Sequence, residues 1–357
     1  KLVISRLVNW VRNIKKNNLT YALKNGQLIH ISSVESGLKC DCICPSCGEH
    51  LIAKKGNKVV HHFAHKPNSE CAYGYQTSLH LLAKEILFEC KEITIPEVIL
   101  DFSKYGGTYK TIKIADSKRI SLDKVVLEKK EGDVIPDIIG YCGNKKLFIE
   151  IYVTHKIDEN KYEKLKKLDI STIEINLSDC DEFVTKELLK SYLLDETDKK
   201  KWIYNSLEFK WYNKFIQNSD IKQETENSKK VMNCPIAKRK DKFGRTFAIY
   251  IDDCIYCDYC VGATSYDDYL MKIKCTGRMR LSEISDFKIS YEERLKNSNE
   301  YFKNERQKLI LNNICPYCNN KLITKNGKNG EFIGCSNYPY CKFTLSIDKN
   351  TGELILK

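Results

Sequence analysis

The sequence has no apolar run that approaches the roughly 20 residues needed to cross a bilayer. Its first stretch, KLVISRLVNWVRNIKKNN, is amphipathic, and Arg6 interrupts its apolar residues. The stretch therefore lacks the continuous apolar segment of a secretory signal. These two absences predict a cytoplasmic protein without a membrane partner.

The sequence also lacks the context that would make its 17 cysteines a disulfide framework. Disulfide-rich proteins are usually short and secreted, whereas this chain has 357 residues and no export signal. Its cysteines are grouped in CxxC pairs, a spacing typical of metal binding in a reducing compartment. We therefore predict bound metal rather than disulfides.

The chain is long and positively charged. Its 357 residues suit two to four domains, at roughly 150 residues each. Lys and Arg number 59 against 47 Asp and Glu, and such an excess favours a polyanionic partner. Because AT-rich coding produces the same abundance of Lys, Asn, Ile and Tyr, charge alone does not identify that partner.

The spacing of apolar residues predicts an α/β protein. TYALKNGQLIHIS predicts a hairpin that turns at Asn25-Gly26, and QTSLHLLAKEILFECK (76–91) has helical spacing. After several strand-like runs, the polar helix DENKYEKLKKLD and the buried strand ISTIEINLS imply a crossover connection. Further helices are predicted near 181–194, 198–217 and 287–312, and a linker at 218–230.

The C-terminal cysteine cluster has the spacing of a zinc ribbon. Its two knuckles supply Cys315, Cys318, Cys335 and Cys341. Four thiolates form a closed tetrahedral zinc site, which also supplies the folding energy that so short a segment lacks. The segment resembles the C-terminal zinc ribbons of type IA DNA topoisomerases, including the run GCSNYPYC. That resemblance implies binding to DNA, preferentially single-stranded, but no topoisomerase activity, since no catalytic domain accompanies it.

Cations and aromatic residues are interleaved along this ribbon. Such a pattern suits phosphate contacts combined with stacking on bases, although some rings, such as Tyr317 or Phe343, must form the small core of the ribbon. The residues predicted to contact nucleic acid are Lys321, Lys325, Lys328, Phe332, Tyr338 and Lys342.

The N-terminal cluster predicts a Cys₃His zinc site. Cys44 and Cys47 form a knuckle in CPSC, and Cys71 follows downstream. Either histidine of HFAH, His62 or His65, can complete the set. We prefer His65 because it leaves a short loop to the last cysteine.

The middle cluster predicts a third metal site. Cys234, Cys254 and Cys257 are the predicted ligands, with Cys275 or Cys260 as the fourth. The run of three cysteines superficially resembles a bacterial ferredoxin, but VGATS follows where that pattern needs a further cysteine and a proline. We therefore predict zinc rather than an iron–sulfur cluster.

The segment VIPDIIGYCGNKKLFIEIYVTHK (134–156) carries two acids on a predicted hairpin. Asp137 opens its first strand, the turn lies at Gly143-Asn144, and Glu150 lies inside the apolar returning strand. Side chains alternate along a strand, so Glu150 and Tyr152 face the same way. A charge in so apolar a strand is costly unless it is paired or metal-bound. The alternative is an exposed edge strand with polar residues facing water.

Two such carboxylates suit the hydrolysis of a phosphodiester bond. This reaction needs a divalent cation to activate water and to neutralise the charge that develops on the phosphate. Mg²⁺ is held by one or two carboxylates together with waters and substrate oxygens. We predict that Asp137 and Glu150 hold Mg²⁺ or Mn²⁺.

The order of these motifs resembles that of the CoiA-like competence proteins. YALKNGQLIHI, CPSCGEHLIAKKG, HHFAH, LHLLAKEIL, PDIIG and FIEIYVTHK follow one another over roughly residues 19–180. That family joins an N-terminal zinc knuckle to a nuclease domain of the PD-(D/E)xK superfamily. The resemblance implies a restriction-endonuclease-like mixed sheet flanked by helices, to which the clusters above add three small zinc-binding modules.

The chain departs from the superfamily pattern at Tyr152. That position is usually lysine, and often glutamine in CoiA-like proteins. A phenol with a pKa of about 10 is a poor general base, but it can hydrogen-bond water or a phosphate oxygen. Lys156 or His155 can supply the missing cation. The first helix of the superfamily often contributes an acid, here Glu85, for which the alternative is an ordinary boundary glutamate.

The sequence thus predicts a metal-dependent DNA nuclease whose zinc modules grip DNA during bacterial DNA uptake, recombination or defence. One rival is a catalytically inactive DNA-binding protein with the same fold, favoured by Tyr152. Another is an iron–sulfur nuclease or helicase accessory. The predicted segments are 1–75 (helix, hairpin and zinc knuckle), 76–195 (nuclease core), 196–230 (helix and linker), 231–282 (second cysteine cluster), 283–312 (helix) and 313–357 (zinc ribbon).

Overall fold

A computed structural model describes most of the chain. The described residues are 19–58, 60–67, 71, 73–153, 159–181, 183–241, 243–267, 269–328, 330–347 and 354–355. The amphipathic stretch at the beginning of the chain lies outside them. The chain forms two compact units. The first consists of the residues up to Val98 together with Asp116–Ser206, and the second of Ile99–Ala115 together with the residues from Leu207 onward.

The described residues form a mixed α/β structure in which short strands outnumber helices. The elements up to Tyr204 are β1 (Tyr21–Lys24), β2 (Gln27–His30), β3 (Ile52–Lys54), β4 (His62–Ala64), α1 (Gly74–Cys90), β5 (Glu92–Ile95), β6 (Val98–Asp101), β7 (Thr111–Ala115), β8 (Lys118–Ser121), β9 (Lys124–Leu127), β10 (Ile138–Cys142), β11 (Lys145–Tyr152), α2 (Glu159–Leu168), β12 (Thr172–Asn176), α3 (Lys186–Leu194) and β13 (Lys200–Tyr204). The remaining elements are α4 (Ser206–Gln217), β14 (Asp220–Gln223), β15 (Lys230–Met232), β16 (Arg239–Lys240), β17 (Thr246–Ile249), β18 (Cys260–Asp267), β19 (Leu270–Cys275), α5 (Tyr291–Leu311), β20 (Leu322–Gly327), β21 (Gly330–Cys335), β22 (Thr344–Ile347) and β23 (Leu354–Ile355).

The first unit is built on a five-stranded sheet with the order β13-β12-β11-β10-β9. Strands β9, β10 and β11 are antiparallel neighbours, whereas β11 and β12 are parallel. A parallel pair needs a crossover, and α2 lies within the connection between these two strands. The sheet is therefore mixed, with its longest strand, β11, at the centre.

The two faces of β11 have different environments. Ile149 and Ile151 belong to a core with Leu82 of α1 and Leu189 of α3, while Phe148 packs with other apolar residues on the opposite face. This alternation follows the two-residue period of a strand. Burying each such side chain stabilises the fold by roughly 1.5–3 kcal/mol, so a shift of the strand by one residue would be unfavourable. The alternation therefore places Glu150 on the same face as Phe148.

Two predicted elements differ in the structure. The predicted helix 198–217 is a strand, β13, followed by a shorter helix, α4, because β13 pairs antiparallel with β12 at the edge of the sheet. The predicted linker 218–230 contains β14, which pairs with β19. An edge strand needs no continuous apolar face, so a polar sequence such as DIKQ can form one without an apolar signal.

The second unit contains three small sheets, with the orders β14-β19-β18, β15-β17-β16 and β20-β21-β22-β23. Its long helix, α5, begins after Ser290, whose Oγ accepts a hydrogen bond from the Glu293 N–H at 3.2 Å. Ser followed three residues later by Glu is a common helix start. No helix in the described part of the chain is both long and apolar enough to span a membrane.

Candidate functional site

Asp137 immediately precedes β10 and is held by α1. His80 and Lys84 are one turn apart on that helix and project from one face. The distance from His80 Nε2 to Asp137 Oδ2 is 3.0 Å, and that from Lys84 Nζ to Oδ1 is also 3.0 Å. The Ile151 N–H donates a further bond to Oδ2 at 2.8 Å. Burial alone would raise the pKa of Asp137, but these partners hold it well below its usual range. The carboxylate is therefore ionised at neutral pH.

Glu150 is the second acid and lies in the middle of the sheet. It is 6% exposed, and its Oε2 is 2.7 Å from Nζ of Lys161 on α2. Its other oxygen, Oε1, is buried and has no hydrogen-bond partner. Burial raises the pKa of Glu150, and the charge of Asp137 raises it further against the opposing effect of Lys161. An unpartnered buried carboxylate oxygen is costly and is a natural ligand for a cation.

A third buried carboxylate, Glu174, lies directly opposite Glu150 in the pairing of β11 with β12. It is 2% exposed, and its Oε1 is 2.7 Å from Nζ of Lys201. Residues opposite each other on neighbouring strands share a face of the sheet. Glu174 was not among the predicted site residues, although Ile-Glu-Ile occurs in both strands, at 149–151 and 173–175.

The remaining predicted catalytic residues have different outcomes. Tyr152 lies at the end of β11, partly exposed, and Lys156 lies outside the described residues. Glu85 is directed to α3, where its Oε1 is 3.3 Å from Nζ of Lys186. His80 and Lys84 of this helix contact Asp137, whereas Glu85 pairs with Lys186, and its catalytic role stays a prediction. Consecutive helix residues point about 100° apart, so Lys84 and Glu85 serve different neighbours.

The first zinc-binding group comprises Cys44, Cys47, His65 and Cys71, whose ligand atoms all lie within 4.8 Å of one another. Sulfur atoms at about 2.3 Å from a tetrahedral zinc are about 3.8 Å apart. The Sγ atoms of Cys44 and Cys71 are 3.8 Å apart, so the residues fit this ion. His62 is not in the group, and its Nδ1 lies 2.8 Å from the Val60 carbonyl oxygen.

The first residue of α1, Gly74, lies against this zinc-binding group. A Cβ atom at this position would be 3.3 Å from Cys44 Sγ and 3.7 Å from both Cys71 Sγ and His65 Cε1. A bound metal prevents these ligand atoms from moving aside, so a side chain here conflicts with the zinc geometry. The helix therefore begins with a residue that allows close approach to the metal ligands.

We expect Gly74→Val to weaken zinc binding at this site by about tenfold or more, the scale of other changes next to metal ligands. For Gly74→Ala, the direction of the change in stability is the test. At an unobstructed helix position this change usually stabilises a protein by about 0.4–1 kcal/mol. Here we expect lower zinc affinity and a lower melting temperature. Competition with a chromophoric zinc chelator and thermal unfolding measure the two effects, and a stabilised Gly74→Ala protein would contradict the contact.

The second zinc-binding group comprises Cys315, Cys318, Cys335 and Cys341. The Sγ atoms of Cys315 and Cys341 are 3.7 Å apart, again the spacing expected around zinc. Although burial raises the pKa of Cys318, N–H groups of Asn320 and the neighbouring thiols lower it to about 7. Hydrogen bonds to the Cys318 sulfur thus favour its thiolate, the form that zinc requires.

The residues predicted to contact nucleic acid differ in exposure. Tyr338 is 65% exposed, whereas Lys325 is half-buried and donates from Nζ to the Cys335 carbonyl oxygen at 3.0 Å. Phe332 is also half-buried, and its ring lies close to Gly334. Sequence analysis did not select Tyr340, which is 78% exposed beside the last zinc ligand. The exposed lysines of this set are Lys321, Lys328 and Lys342.

The middle cysteines do not form a third group of this kind in the described part of the chain. All five, Cys234, Cys254, Cys257, Cys260 and Cys275, line one small cavity. Burial raises the pKa of Cys254, and the charges of the other four thiolates raise it further. Two of the three predicted zinc modules thus have ligand geometry, and the third zinc stays a prediction.

Zinc content tests the middle site. If the predicted third ion binds, the purified chain contains three zinc ions, and Cys254→Ser lowers the number to two because a thiolate ligand is lost. Cys142→Ser is the matched control, since Cys142 is an exposed free thiol outside the three clusters. Elemental analysis of all three proteins gives the answer, and two ions in each of them would reject the third site.

Two family models match the chain. The model described as competence protein CoiA, N-terminal domain, matches residues 30–74. The model described as topoisomerase DNA binding C4 zinc finger matches residues 312–350. Each matched segment contains one complete zinc-binding group. Most of the chain, including the five-stranded sheet, lies outside both matches.

Short segments of curated proteins are similar to the chain. DNA topoisomerase 1 of Methanocaldococcus jannaschii is 61% identical over 36 residues, which are 10% of this chain and 5% of that protein. DNA topoisomerase 1 of Helicobacter pylori is 44% identical over 39 residues, 11% of this chain and 5% of that protein. An uncharacterised protein of M. jannaschii is 44% identical over 64 residues, 18% of this chain and 21% of that protein.

The chain therefore spans only 5% of the length of these topoisomerases. No solved structure shows significant similarity to it. The resemblance predicted from sequence is confirmed by the family models: residues 30–74 match the CoiA N-terminal domain, and residues 312–350 match the topoisomerase C4 zinc finger.

Proposed function

We propose that the protein is a metal-dependent DNA nuclease whose site is built around Asp137 and Glu150. The observation that carries this proposal is the buried Glu150 Oε1, which has no partner, on the central strand of the sheet. Structural acids in a core are normally satisfied by hydrogen bonds or ion pairs. A buried, unpartnered carboxylate oxygen that is also subject to the charge of a second acid, Asp137, is suited to bind a cation.

The donors fit Mg²⁺ or Mn²⁺. Both are hard ions that prefer carboxylate oxygens, and Glu150 together with Asp137 would hold one of them. Bound there, the ion would activate water and neutralise charge on the scissile phosphate. Neither acid belongs to the two zinc-binding groups, whose ligands are cysteines and a histidine.

The side chains of the chain orient the carboxylates and supply positive charge. His80 and Lys84 fix the orientation of Asp137, while Lys161 binds one oxygen of Glu150 and leaves the other free. Tyr152, at the position where the superfamily pattern has its lysine, faces the same side of β11 as Glu150, the acid that Lys161 contacts. We propose that Lys161 supplies the cation that Tyr152 does not, and that Tyr152 hydrogen-bonds the water or a phosphate oxygen.

DNA as the substrate is supported from two directions. The matched topoisomerase segment is described as DNA-binding, and the matched CoiA segment belongs to a competence protein. The excess of cations suits a polyanion in either strand form. We propose that the ribbon grips DNA, preferably single-stranded, through its exposed lysines and Tyr338.

A catalytically inactive DNA-binding protein is the alternative, favoured by the contacts of Asp137. Both oxygens of that carboxylate already have partners, so the residue can serve as a structural link between α1 and the sheet. In that case Glu150 would be a buried acid paired with Lys161 alone.

Incubation of the zinc-loaded chain with end-labelled single- and double-stranded DNA separates the two functions. We expect cleavage with Mg²⁺ or Mn²⁺ and none without added divalent cation. Ca²⁺ serves as the comparison, because it is also bound by carboxylates but adopts looser geometry. Tight DNA binding without cleavage under any of these ions would reject the nuclease and support the alternative.

A further inference from the structure

The second unit contains a groove that the proposed nuclease site does not use. Helix α5 forms one wall, and the turn 235–237, Arg280 and the ribbon residues Tyr317 and Phe343 form the other. The cavity measures about 380 Å³, within the range of ligand sites. The groove is therefore large enough to take in a molecule rather than a single ion.

The charge of this groove has one sign. Among the described residues, three cations line the cavity, Arg280, Lys303 and Arg306, and no acidic residue does. Within the described part of the chain, Lys303 and Arg306 form no hydrogen bond or ion pair. Arg280 donates from Nη2 to the Pro235 carbonyl oxygen at 3.1 Å, but its Nη1 is buried without a partner. Three cations with unused donors in one cavity call for an anionic ligand.

The backbone of Arg280 supports this interpretation independently. Its φ is 54°, in the left-handed region that residues other than glycine rarely adopt. Such conformations persist only where the surrounding structure enforces them, and they concentrate at binding sites. The fold thus holds the backbone of Arg280 in an uncommon conformation at a position where its side chain lines the cavity.

Aromatic rings complete the groove. Tyr317 and Phe343 meet edge to face with their centroids 5.1 Å apart, and Phe302 of α5 lies on the opposite wall. Lys240 Nζ lies 5.1 Å from the centroid of Tyr317. Rings beside cations are the surfaces on which bases stack while phosphates bind nearby.

The groove extends beyond this cavity. An adjoining cavity of about 220 Å³ shares Phe302, Arg306 and Tyr317 with the first. Its acids are neutralised within the protein, since Arg239 pairs with Asp252 and Asp253 and Lys308 pairs with Glu305. The positively charged cavity therefore continues into a second cavity without net charge from unpaired acids. The two together form a groove longer than one nucleotide.

We propose that this groove binds single-stranded DNA, with phosphates on Arg280, Lys303 and Arg306 and a base stacked at Tyr317. The inference rests on the DNA-binding half of the proposed function but not on cleavage. A duplex is too wide to enter a cavity of this size, whereas one strand exposes both the phosphates and the base faces that the groove matches. The strand would thus be held by α5 as well as by the ribbon.

The test is the binding of a fluorescein-labelled oligothymidylate of roughly 15 nucleotides to the full zinc-loaded chain, without added divalent cation. The double variant Lys303→Gln/Arg306→Gln removes two free cations from exposed or partly exposed positions on α5. We expect its affinity to fall at least about fivefold and the slope of log K against log salt to decrease by about 1.4, since each phosphate contact on a single strand contributes about 0.7.

Lys296→Gln is the matched control. It removes one positive charge from the same helix, two turns away, and Lys296 does not line the groove, so its effect is compared with that of either single variant, Lys303→Gln or Arg306→Gln. We expect its affinity and salt slope to stay close to those of the unaltered protein. Equal losses in the control and the double variant would overturn the inference, because they would indicate general attraction rather than a defined groove.

Stacking is tested with Tyr317→Leu and Tyr317→Phe. The first removes the ring and is expected to weaken binding about fivefold or more, while the second keeps the ring and binding. Zinc content must be unchanged in both. The inference would also be overturned if the unaltered chain failed to bind the strand. It would equally be overturned if thymidine monophosphate or polyglutamate displaced the strand at equal phosphate or carboxylate concentration.

Cleavage assays on the same proteins keep this inference separate from the nuclease. Loss of cleavage in every protein with the groove effects intact would reject the nuclease alone. Cleavage that persists while the groove variants bind normally would reject the groove alone.

Discussion

Asp137→Asn and Glu150→Gln are each expected to lower metal-dependent DNA cleavage by at least about a hundredfold, because a bound ion supplies several kcal/mol of transition-state stabilisation. Both changes keep the shape of the side chain and remove the negative charge that holds the cation. Cleavage rates at saturating DNA and a series of Mn²⁺ concentrations measure the loss. If excess Mn²⁺ partly restores either variant, the residue acts through the metal.

Glu85→Gln is the control for this experiment. It removes one carboxylate charge from α1, but Glu85 pairs with Lys186 of α3 and not with a group at Asp137. We expect its cleavage rate to stay within about twofold, as is usual for changes at exposed ion pairs. A loss as large as that of Asp137→Asn would restore Glu85 as the acid from the first helix.

Stability separates the two acids from each other. The pKa of Asp137 is lowered in the folded state, so its ionised form stabilises the fold above the unfolded pKa of about 3.9, and this contribution is lost as the pH falls. The pKa of Glu150 is raised, so its contribution is present at low pH and is lost as the pH rises through the folded value.

At pH 7 we therefore expect Asp137→Asn to destabilise the protein by about 1–3 kcal/mol, the range for hydrogen bonds to charged groups. Glu150→Gln should be close to neutral, since it removes a charge whose burial is unfavourable. Urea unfolding at pH 7 and pH 5 measures both. A Glu150→Gln protein that is inactive yet stable is the most informative outcome, because unfolding cannot explain its inactivity.

Removal of zinc is expected to unfold the ribbon, the second large effect. Zinc binding contributes about 10–16 kcal/mol in small zinc modules, far more than the apolar core of this segment can replace. That core consists of Ile310, Leu322 and cysteines of the zinc-binding group, with partly buried residues around them. Cys341→Ser or a strong chelator should therefore expose residues 313–347 to amide exchange and to protease.

Cys142→Ser is again the matched control, because it removes a thiol that is exposed and belongs to none of the clusters. Its exchange and cleavage patterns should not change. The affinity of the Cys341→Ser protein for DNA should decrease because its ribbon is unfolded. Persistence of the folded ribbon without zinc would contradict the assignment of its four cysteines as metal ligands.

Sequence reasoning succeeded where a local pattern determines structure. The alternation of apolar residues around Glu150 predicted which face of the strand it occupies. The helical spacing of apolar residues in α1 predicted that this segment is a helix. The spacing of Cys315 and Cys318 likewise indicated a zinc knuckle, because two cysteines with only two residues between them lie in one turn. These features depend on neighbours within a few positions of the chain.

It failed where contacts join distant residues. Lys84 contacts Asp137 only because α1 packs on the sheet, and the sequence around either residue does not predict this pair. Glu174 becomes the neighbour of Glu150 through the parallel register of β11 and β12, which forms after the crossover. Similarly, the polar edge strand β14 has no apolar pattern and depends on its pairing with β19.

Helix α1 has a length requirement that follows from its two ends. Gly74 touches the zinc ligands, and His80 and Lys84 contact Asp137 farther along the same helix. Deleting or inserting one residue between positions 75 and 79 would leave composition and helix propensity almost unchanged. It would nevertheless turn both cations by about 100° around the axis, away from the carboxylate. The number of residues in this interval is thus constrained even where their identity is free.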